Sequence, residues 1–209
     1  MPAAYWAGRQ LTRVCYTAFG RWEVEGQELV PPGGPLLVVS NHLSYADPPL
    51  LAAAIRRPLY FLAKRELFAN PIAGALLKSV QTFPVDRSQG SPRAMRQVLG
   101  LLAEDKAVVV FPEGHRSHDH ALREGMVGTA YLALKSQAPV LPIGITGTQG
   151  IPNWRIPFPL RRMKVNIGPL LILPSIEGTP DRSVIESVRD MIMYRIAALL
   201  PEDYRGKYK

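Results

Sequence analysis

The stretch Leu36-Leu37-Val38-Val39-Ser40-Asn41-His42-Leu43-Ser44-Tyr45-Ala46-Asp47-Pro48-Pro49 changes character twice. Leu36 to Ser40 is short, uncharged and rich in β-branched side chains, which predicts a buried strand. Asp47-Pro48-Pro49 predicts the start of a helix reaching Ile55, with Asp47 as its N-cap and proline in its first turn. A buried strand passing through a polar loop into a helix is the repeating unit of an α/β domain.

The same unit recurs along the chain. Leu59 to Leu62 predicts a strand and Glu66 to Ser79 a helix. Thr82 to Val85 is a strand, and Ser91-Pro92 opens a helix to Glu104. Ala107 to Phe111 is a buried strand, Val127 to Lys135 a helix, and Val140 to Ile145 and Met163 to Ile167 are strands. Thr179-Pro180-Asp181 caps a last helix reaching Leu200. The expected fold is a single α/β domain with a central, mostly buried, mixed sheet flanked by helices.

Ahead of this domain, Tyr5 to Trp22 predicts an amphipathic helix. Arg9, Arg13, Thr17 and Arg21 recur every four positions, and Trp6, Leu11, Val14 and Phe19 cover other sides. Such a helix suits a membrane interface, or else packs its apolar side on the domain. Residues 1–22 are therefore expected to form a membrane-associating helix and residues 23–209 the main domain.

The chain has 209 residues, 47% of them hydrophobic, enough for one real core. Its formal net charge of +8 favours anionic partners: nucleic acid, an anionic membrane or phosphorylated substrates. The single cysteine, Cys15, excludes an intramolecular disulfide and fits a reducing cytoplasm. The N-terminus lacks a basic-then-apolar signal pattern, and no run of about 18 uncharged apolar residues occurs. The expected location is peripheral, on the cytoplasmic face of the cell membrane.

Polar clusters follow several of the predicted strands. Strand ends of one sense share an edge, where ligands of α/β sheets bind. After the first comes His42 with Asp47: a neutral imidazole accepts protons near neutral pH, and a carboxylate on its other nitrogen fixes the tautomer. No G-x-S-x-G elbow is present, and neither Ser44 nor Ser117 sits on a nucleophile turn. The histidine is thus expected to activate a substrate hydroxyl directly. Lys64, Arg87 and Arg116 follow other strands and suit phosphate oxygens, and Gly114 permits close backbone approach.

These clusters carry a resemblance. Asn41-His42-Leu43-Ser44-Tyr45-Ala46-Asp47 resembles the N-H-x-x-x-x-D signature of the glycerolipid acyltransferase family. Phe111-Pro112-Glu113-Gly114-His115-Arg116-Ser117 resembles its F-P-E-G-T-R-S block. Phe83-Pro84-Val85-Asp86-Arg87 and Val140-Leu141-Pro142-Ile143-Gly144 resemble the two others. Order and spacing match across Gly20 to Gly147, and size and layout are most similar to bacterial 1-acyl-glycerol-3-phosphate acyltransferases.

The resemblance implies that His42 is the general base toward an acceptor hydroxyl and that Asp47 orients it. It implies acceptor binding by Asn41, Lys64, Arg87, Glu113, Gly114 and Arg116, and a shaping role for Pro142 in the site or acyl-donor channel. The product would be phosphatidic acid, made for phospholipid biosynthesis from a lysophospholipid at the membrane surface. The donor would be an acyl-CoA or acyl carrier protein thioester, with no metal or other cofactor. Two departures stand out. His115 replaces the usual threonine, and Met126-Val127 lacks the lysine many members carry before the glycine matching Gly128.

Other signals are weaker. His115, His118, Asp119 and His120 form a histidine-rich tract without standard zinc spacing. Ile151 to Lys164 mixes Trp154, Phe158 and Leu160 with Arg155, Arg161, Arg162 and Lys164, which suits an anionic lipid interface or an anchored loop. Alternatives are an acyltransferase for another lysolipid or glycerol-phosphate acceptor, a basic nucleic-acid-binding module, and a membrane-tethered protein with a dead site. Scattered basic residues disfavour nucleic acid, and the presence of His42 and Asp47 disfavours the dead site.

Overall fold

The computed structural model describes residues 3–85, 92–117, 119–175, 178 and 180–209. Seven strands form one sheet: β1 (Arg21–Glu25), β2 (Leu36–Ser40), β3 (Leu59–Lys64), β4 (Thr82–Val85), β5 (Ala107–Val110), β6 (Val140–Thr146) and β7 (Arg162–Ile167). Their order is β1-β7-β6-β2-β5-β3-β4. β6 and β7 run antiparallel, and every other neighbouring pair of these strands runs parallel. The expected mixed α/β sheet is therefore present.

The helices are α1 (Ala3–Phe19), α2 (Asp47–Ala54), α3 (Pro71–Ser79), α4 (Pro92–Ala103), α5 (Val127–Ser136) and α6 (Arg182–Ala197). All five residues of β2 are buried. Their alternation splits them between two cores. Leu37 and Val39 pack with Val98 and Leu102 of α4, Ala133 of α5 and Ile196 of α6. Leu36 and Val38 pack with Tyr16 of α1 and Leu50 and Leu51 of α2. A strand covered on both faces has no polar side to display, which is why it is a continuous apolar run.

Three local expectations need correction. The first helix ends at Phe19, not Trp22. Gly20 turns the chain, and Arg21 and Trp22 enter β1, whose partner β7 lies more than 130 positions on. The helix expected from Glu66 splits: Arg65–Phe68 is a single 3₁₀ turn, and α3 starts afresh at Pro71. The Asn70 carboxamide caps that start by accepting from the N–H groups of Ile72 and Ala73. Asp47 is not the N-cap of α2; Ala46 holds that position without a side-chain bond, and the Asp47 carboxylate turns back toward the preceding loop. Of the cap expected for the last helix, Thr179 lies outside the described residues, and Asp181 makes no side-chain capping bond.

The arginines of α1 face the protein. Arg9 Nε donates to the carbonyls of Ala52 (3.0 Å) and Ile55 (3.3 Å), and Arg13 Nη1 to that of Ala53 (3.1 Å). The Gln27 amide reaches Ala54 O. These carbonyls form the C-terminus of α2, the negative end of its dipole and the place where backbone acceptors lack helical partners. With the charged side so engaged, the outward side of α1 carries no charge: Trp6, Leu11, Val14, Ala18 and Phe19 lie on it, and Leu11 and Val14 are 65% and 64% exposed. No described helix is long and apolar enough to cross a membrane.

Candidate active site

Because β2, β3, β4, β5 and β6 share one direction, their C-terminal ends lie on one edge of the sheet. That edge receives Asn41-His42 after β2, Phe111 to Ser117 after β5, Lys64 at the end of β3 and Gly147-Thr148 after β6. Arg87, expected after β4, lies outside the described residues, as do Asp86 and His118.

At the centre of the edge, His42 Nδ1 lies 2.7 Å from Asp47 Oδ2. The same oxygen accepts the N–H groups of Leu43 (2.7 Å) and Ser44 (2.8 Å), and Oδ1 accepts the Thr148 hydroxyl at 2.5 Å. Asp47 is fully buried, so its charge is held by these donors in place of water. A carboxylate only accepts, so Nδ1 carries a proton, and in the neutral ring the lone pair is then on Nε2. The ring is 5% exposed and stacks on Phe111 with centroids 4.0 Å apart and planes 17° from parallel. Nε2 makes no hydrogen bond among the described residues. Ser44 Oγ accepts from Ala46 N, and Ser117 Oγ lies 2.7 Å from Asp119 Oδ1 and 2.8 Å from Ala121 O. Among the described residues neither hydroxyl is paired with the imidazole, an arrangement that can serve as a base and its orienter without a serine nucleophile.

The loop after β5 clamps the histidine from the backbone side. Glu113 Oε1 accepts from His42 N and Oε2 from Arg123 N, both at 2.9 Å, while Ser117 N donates to His42 O at 2.8 Å. Burial pushes the Glu113 carboxyl up to about 7, against the pull of the Arg123 and His42 N–H groups. Gly114 has φ +70°, where a side chain would strain the backbone, and a Cβ there would lie 2.4 Å from Met126 Sδ and push that side chain aside, so the turn favours glycine. Met126 thus fills the space behind the loop at the position where the resemblance led one to look for lysine. Arg116 lays its guanidinium 3.9 Å over the ring of Tyr45, in the loop between His42 and Asp47. That contact ties the cation to the loop that links His42 and Asp47.

The remaining expected residues divide. Asn41 is 1% exposed and pairs both ends of its carboxamide with the backbone of Ile145, at 2.9 and 2.7 Å. This continues the β2–β6 ladder and commits the carboxamide oxygen and one of its two N–H donors to the backbone. Pro142 is buried within β6, opposite Val39, and its carbonyl accepts from Gly168 N. Its missing N–H falls on the β7 side, where that pairing has ended, so proline is tolerated inside the sheet. Lys64 and His115 are exposed on the site edge. Among the described residues, no three His, Cys, Asp or Glu side chains could hold a metal.

Thr148, Phe111 and Tyr45 were missed as partners of the dyad. The signal for Thr148 was its place after a buried strand, next to Gly147. With φ +85°, Gly147 passes so close to the Arg162 carbonyl that no side chain fits, which aims Thr148 inward.

The buried Glu113 makes a prediction for stability. Its folded-state affinity for protons exceeds that of the unfolded chain between the ordinary carboxyl value and about 7. Its contribution is therefore most favourable at low pH and declines as pH rises through this window. Urea unfolding of the wild type and Glu113→Gln from pH 4.5 to 7.5 should show the wild type losing stability relative to the variant as pH rises. A difference independent of pH contradicts this.

Comparison with known proteins agrees with the geometry. Residues 21–146 match the protein-family model described as Acyltransferase. The 1-acyl-sn-glycerol-3-phosphate acyltransferase of Bacillus subtilis is 28% identical over 189 residues, 90% of this chain and 92% of that protein. The lyso-ornithine lipid O-acyltransferase of Pseudomonas aeruginosa is 33% identical over 150 residues, 71% of this chain and 56% of that protein. The crystal structure of the 1-acyl-sn-glycerophosphate (LPA) acyltransferase PlsC from Thermotoga maritima superposes with a TM-score of 0.72 at 23% identity, covering 94% of this chain and 80% of the other. With the family match spanning more than half of its length, on the strands and loops that build the His42–Asp47 site, the chain belongs to the acyltransferase family.

Proposed function

We propose that this acyltransferase moves a fatty acyl group from an acyl thioester to the free hydroxyl of a 1-acyl-glycerol-3-phosphate, giving phosphatidic acid for phospholipid biosynthesis. The observation that carries this reading is the unpaired Nε2 of a histidine whose other nitrogen is held by a buried carboxylate. The acceptor hydroxyl gives its proton to Nε2 as its oxygen bonds to the thioester carbonyl carbon. The tetrahedral intermediate collapses, the carbon–sulfur bond breaks, and the departing thiolate takes the proton from Nε2. Asp47 and Thr148 hold the imidazolium between these steps. Arg116, with Lys64, neutralises the acceptor's phosphate, and the resemblance adds Arg87 to that role. Glu113, Gly114 and Asn41 keep loop and base in register, and Pro142 stiffens β6 beneath them.

A different lysolipid acceptor is the second reading. Similarity to a protein named for lyso-ornithine lipid supports it, as does His115 exposed beside Arg116.

The acceptor is an amphiphile, and the surface suits one. The uncharged side of α1 continues into the loop before β7 through Phe19, which packs edge-to-face on Phe158 at 4.8 Å. Trp154 and Leu160 are exposed on that loop, with Arg155, Arg161 and Arg162 around them. β1 and β7 start beside the end of β6, so this patch opens on the site's edge. The reading is peripheral docking on the cytoplasmic face of the membrane, apolar side chains in the interface and arginines at the headgroups.

Acyl transfer is tested with acyl-CoA and acyl carrier protein thioesters against a panel of lysolipids including 1-acyl-glycerol-3-phosphate. His42→Ala should lower kcat by roughly 10²–10⁴. Thr148→Val, which removes one donor to a buried charge, should lower it by about tenfold. Full activity in His42→Ala means that the base is elsewhere. For docking, Leu11→Asp with Val14→Asp should weaken partition onto anionic liposomes by about tenfold or more, since each side chain contributes on the order of 1.5–3 kcal/mol when buried. Unchanged partition rules out α1 as the docking surface.

A further inference from the structure

A groove of about 750 Å³ runs beside the terminal strand β4, between the 3₁₀ turn–α3 segment and α4. Arg65, Lys78 and Arg93 line it, and among the described residues none of the three has an ion-pair partner. Among the described residues Glu66 is the only carboxylate that lines it, against three cations. Phe68 and Pro84 add apolar faces, and Gln97 a carboxamide. Its size and concavity suit a small ligand with several negative charges and a flat ring, more than the convex surface of a protein.

Distance decides which substrate that is. The groove's lining runs from Arg65, just past the end of β3, to Pro84 on β4, two and three strand spacings from β2, so it lies about 10–14 Å along the edge from His42. In a glycerol phosphate, about four bonds of roughly 1.5 Å separate the hydroxyl oxygen from phosphorus, ~6 Å at most. An acceptor whose hydroxyl touches Nε2 therefore leaves its phosphate at the near end of the edge, where Arg116 and Lys64 follow β5 and β3, and falls short of the far end of the groove at Lys78 and Arg93. The other substrate, the acyl thioester, has a different shape. In coenzyme A roughly thirteen bonds of pantetheine separate the sulfur from the first phosphorus, enough to span ~14 Å.

Resting on the acyl-transfer reading above, we propose that this groove holds the phosphorylated adenosine end of an acyl-CoA donor. The pantetheine arm then follows the ends of β3 and β5 to bring the thioester to His42. Arg65, Lys78 and Arg93 meet the diphosphate and the 3′-phosphate, and the base lies against Phe68 and Pro84.

The test uses Lys78→Gln and Arg93→Gln, both at exposed positions, with thermal unfolding as the control for folding. Each should raise KM for acyl-CoA about tenfold, the cost of one lost phosphate contact, with kcat and the acceptor's KM unchanged. Transfer from acyl-pantetheine, which lacks the nucleotide, should be the same in variant and wild type. Adenosine 3′,5′-bisphosphate should compete with acyl-CoA in the wild type and compete less in the variants. Equal effects on acyl-CoA and acyl-pantetheine, or none on either, overturn the assignment. A raised KM for acyl carrier protein alone makes the groove a protein-carrier site and overturns it too. Weaker liposome binding with unchanged donor KM makes the cations lipid contacts, with the same consequence. If the wild type uses no thioester at all, the acyl-transfer reading fails on its own. Calorimetric titration of CoA itself then decides the groove: weaker binding by the variants supports it, and equal binding overturns it.

Discussion

A carboxylate taken wholly out of water must be met by donors from the fold, and Asp47 is met by four. Two are N–H groups of its own loop, one is the His42 ring and one is the Thr148 hydroxyl. The last comes from beyond the end of β6, so the charge is satisfied only when β2 and β6 are neighbours in register. Asn41 enforces that neighbourhood on the same two strands by bonding to Ile145. The loop after β5 closes the other side, through Glu113 to His42 N and Ser117 to His42 O. Three adjacent strands thus converge on one imidazole, and the stability of the buried charge is inseparable from the sheet order β6-β2-β5.

The elements legible in the sequence are those whose burial is complete. β2, β5 and β6 are apolar on both faces and stand out as unbroken runs, and Thr82–Val85 coincides with β4. β1 was hidden because its alternating Arg21-Trp22-Glu23-Val24-Glu25 half-exposes an edge strand and follows a helix without polar punctuation. The Asn70 cap was overlooked, so two short elements looked like one helix. For α1 the periodicity was visible but its sense was not. Arginines on a helix ordinarily face water, and only the nearby carbonyls of Ala52, Ala53 and Ile55 show why these turn inward.

The site follows the same division. His42, Asp47 and Arg116 are within a few positions of recognisable blocks and come together on one edge. Asn41 and Glu113 belong to the same blocks, yet their polar atoms bond to backbone, which no spacing in the chain displays. Thr148 is 101 positions from Asp47, so only the strand order reveals it. The apolar outer side of α1, the Trp154 loop and the cationic groove beside β4 all flank that edge. A lipid acceptor and a long, charged donor could then reach the base from different directions.

The central claim is that His42 acts directly on the acceptor, without an acyl-enzyme. A rapid-quench experiment mixing enzyme with acyl thioester alone, reading free thiol and intact protein mass, tests it. The account predicts no thiol burst and no acyl adduct until the lysolipid is added. One equivalent of thiol released without acceptor, with a matching increase in protein mass, would contradict it.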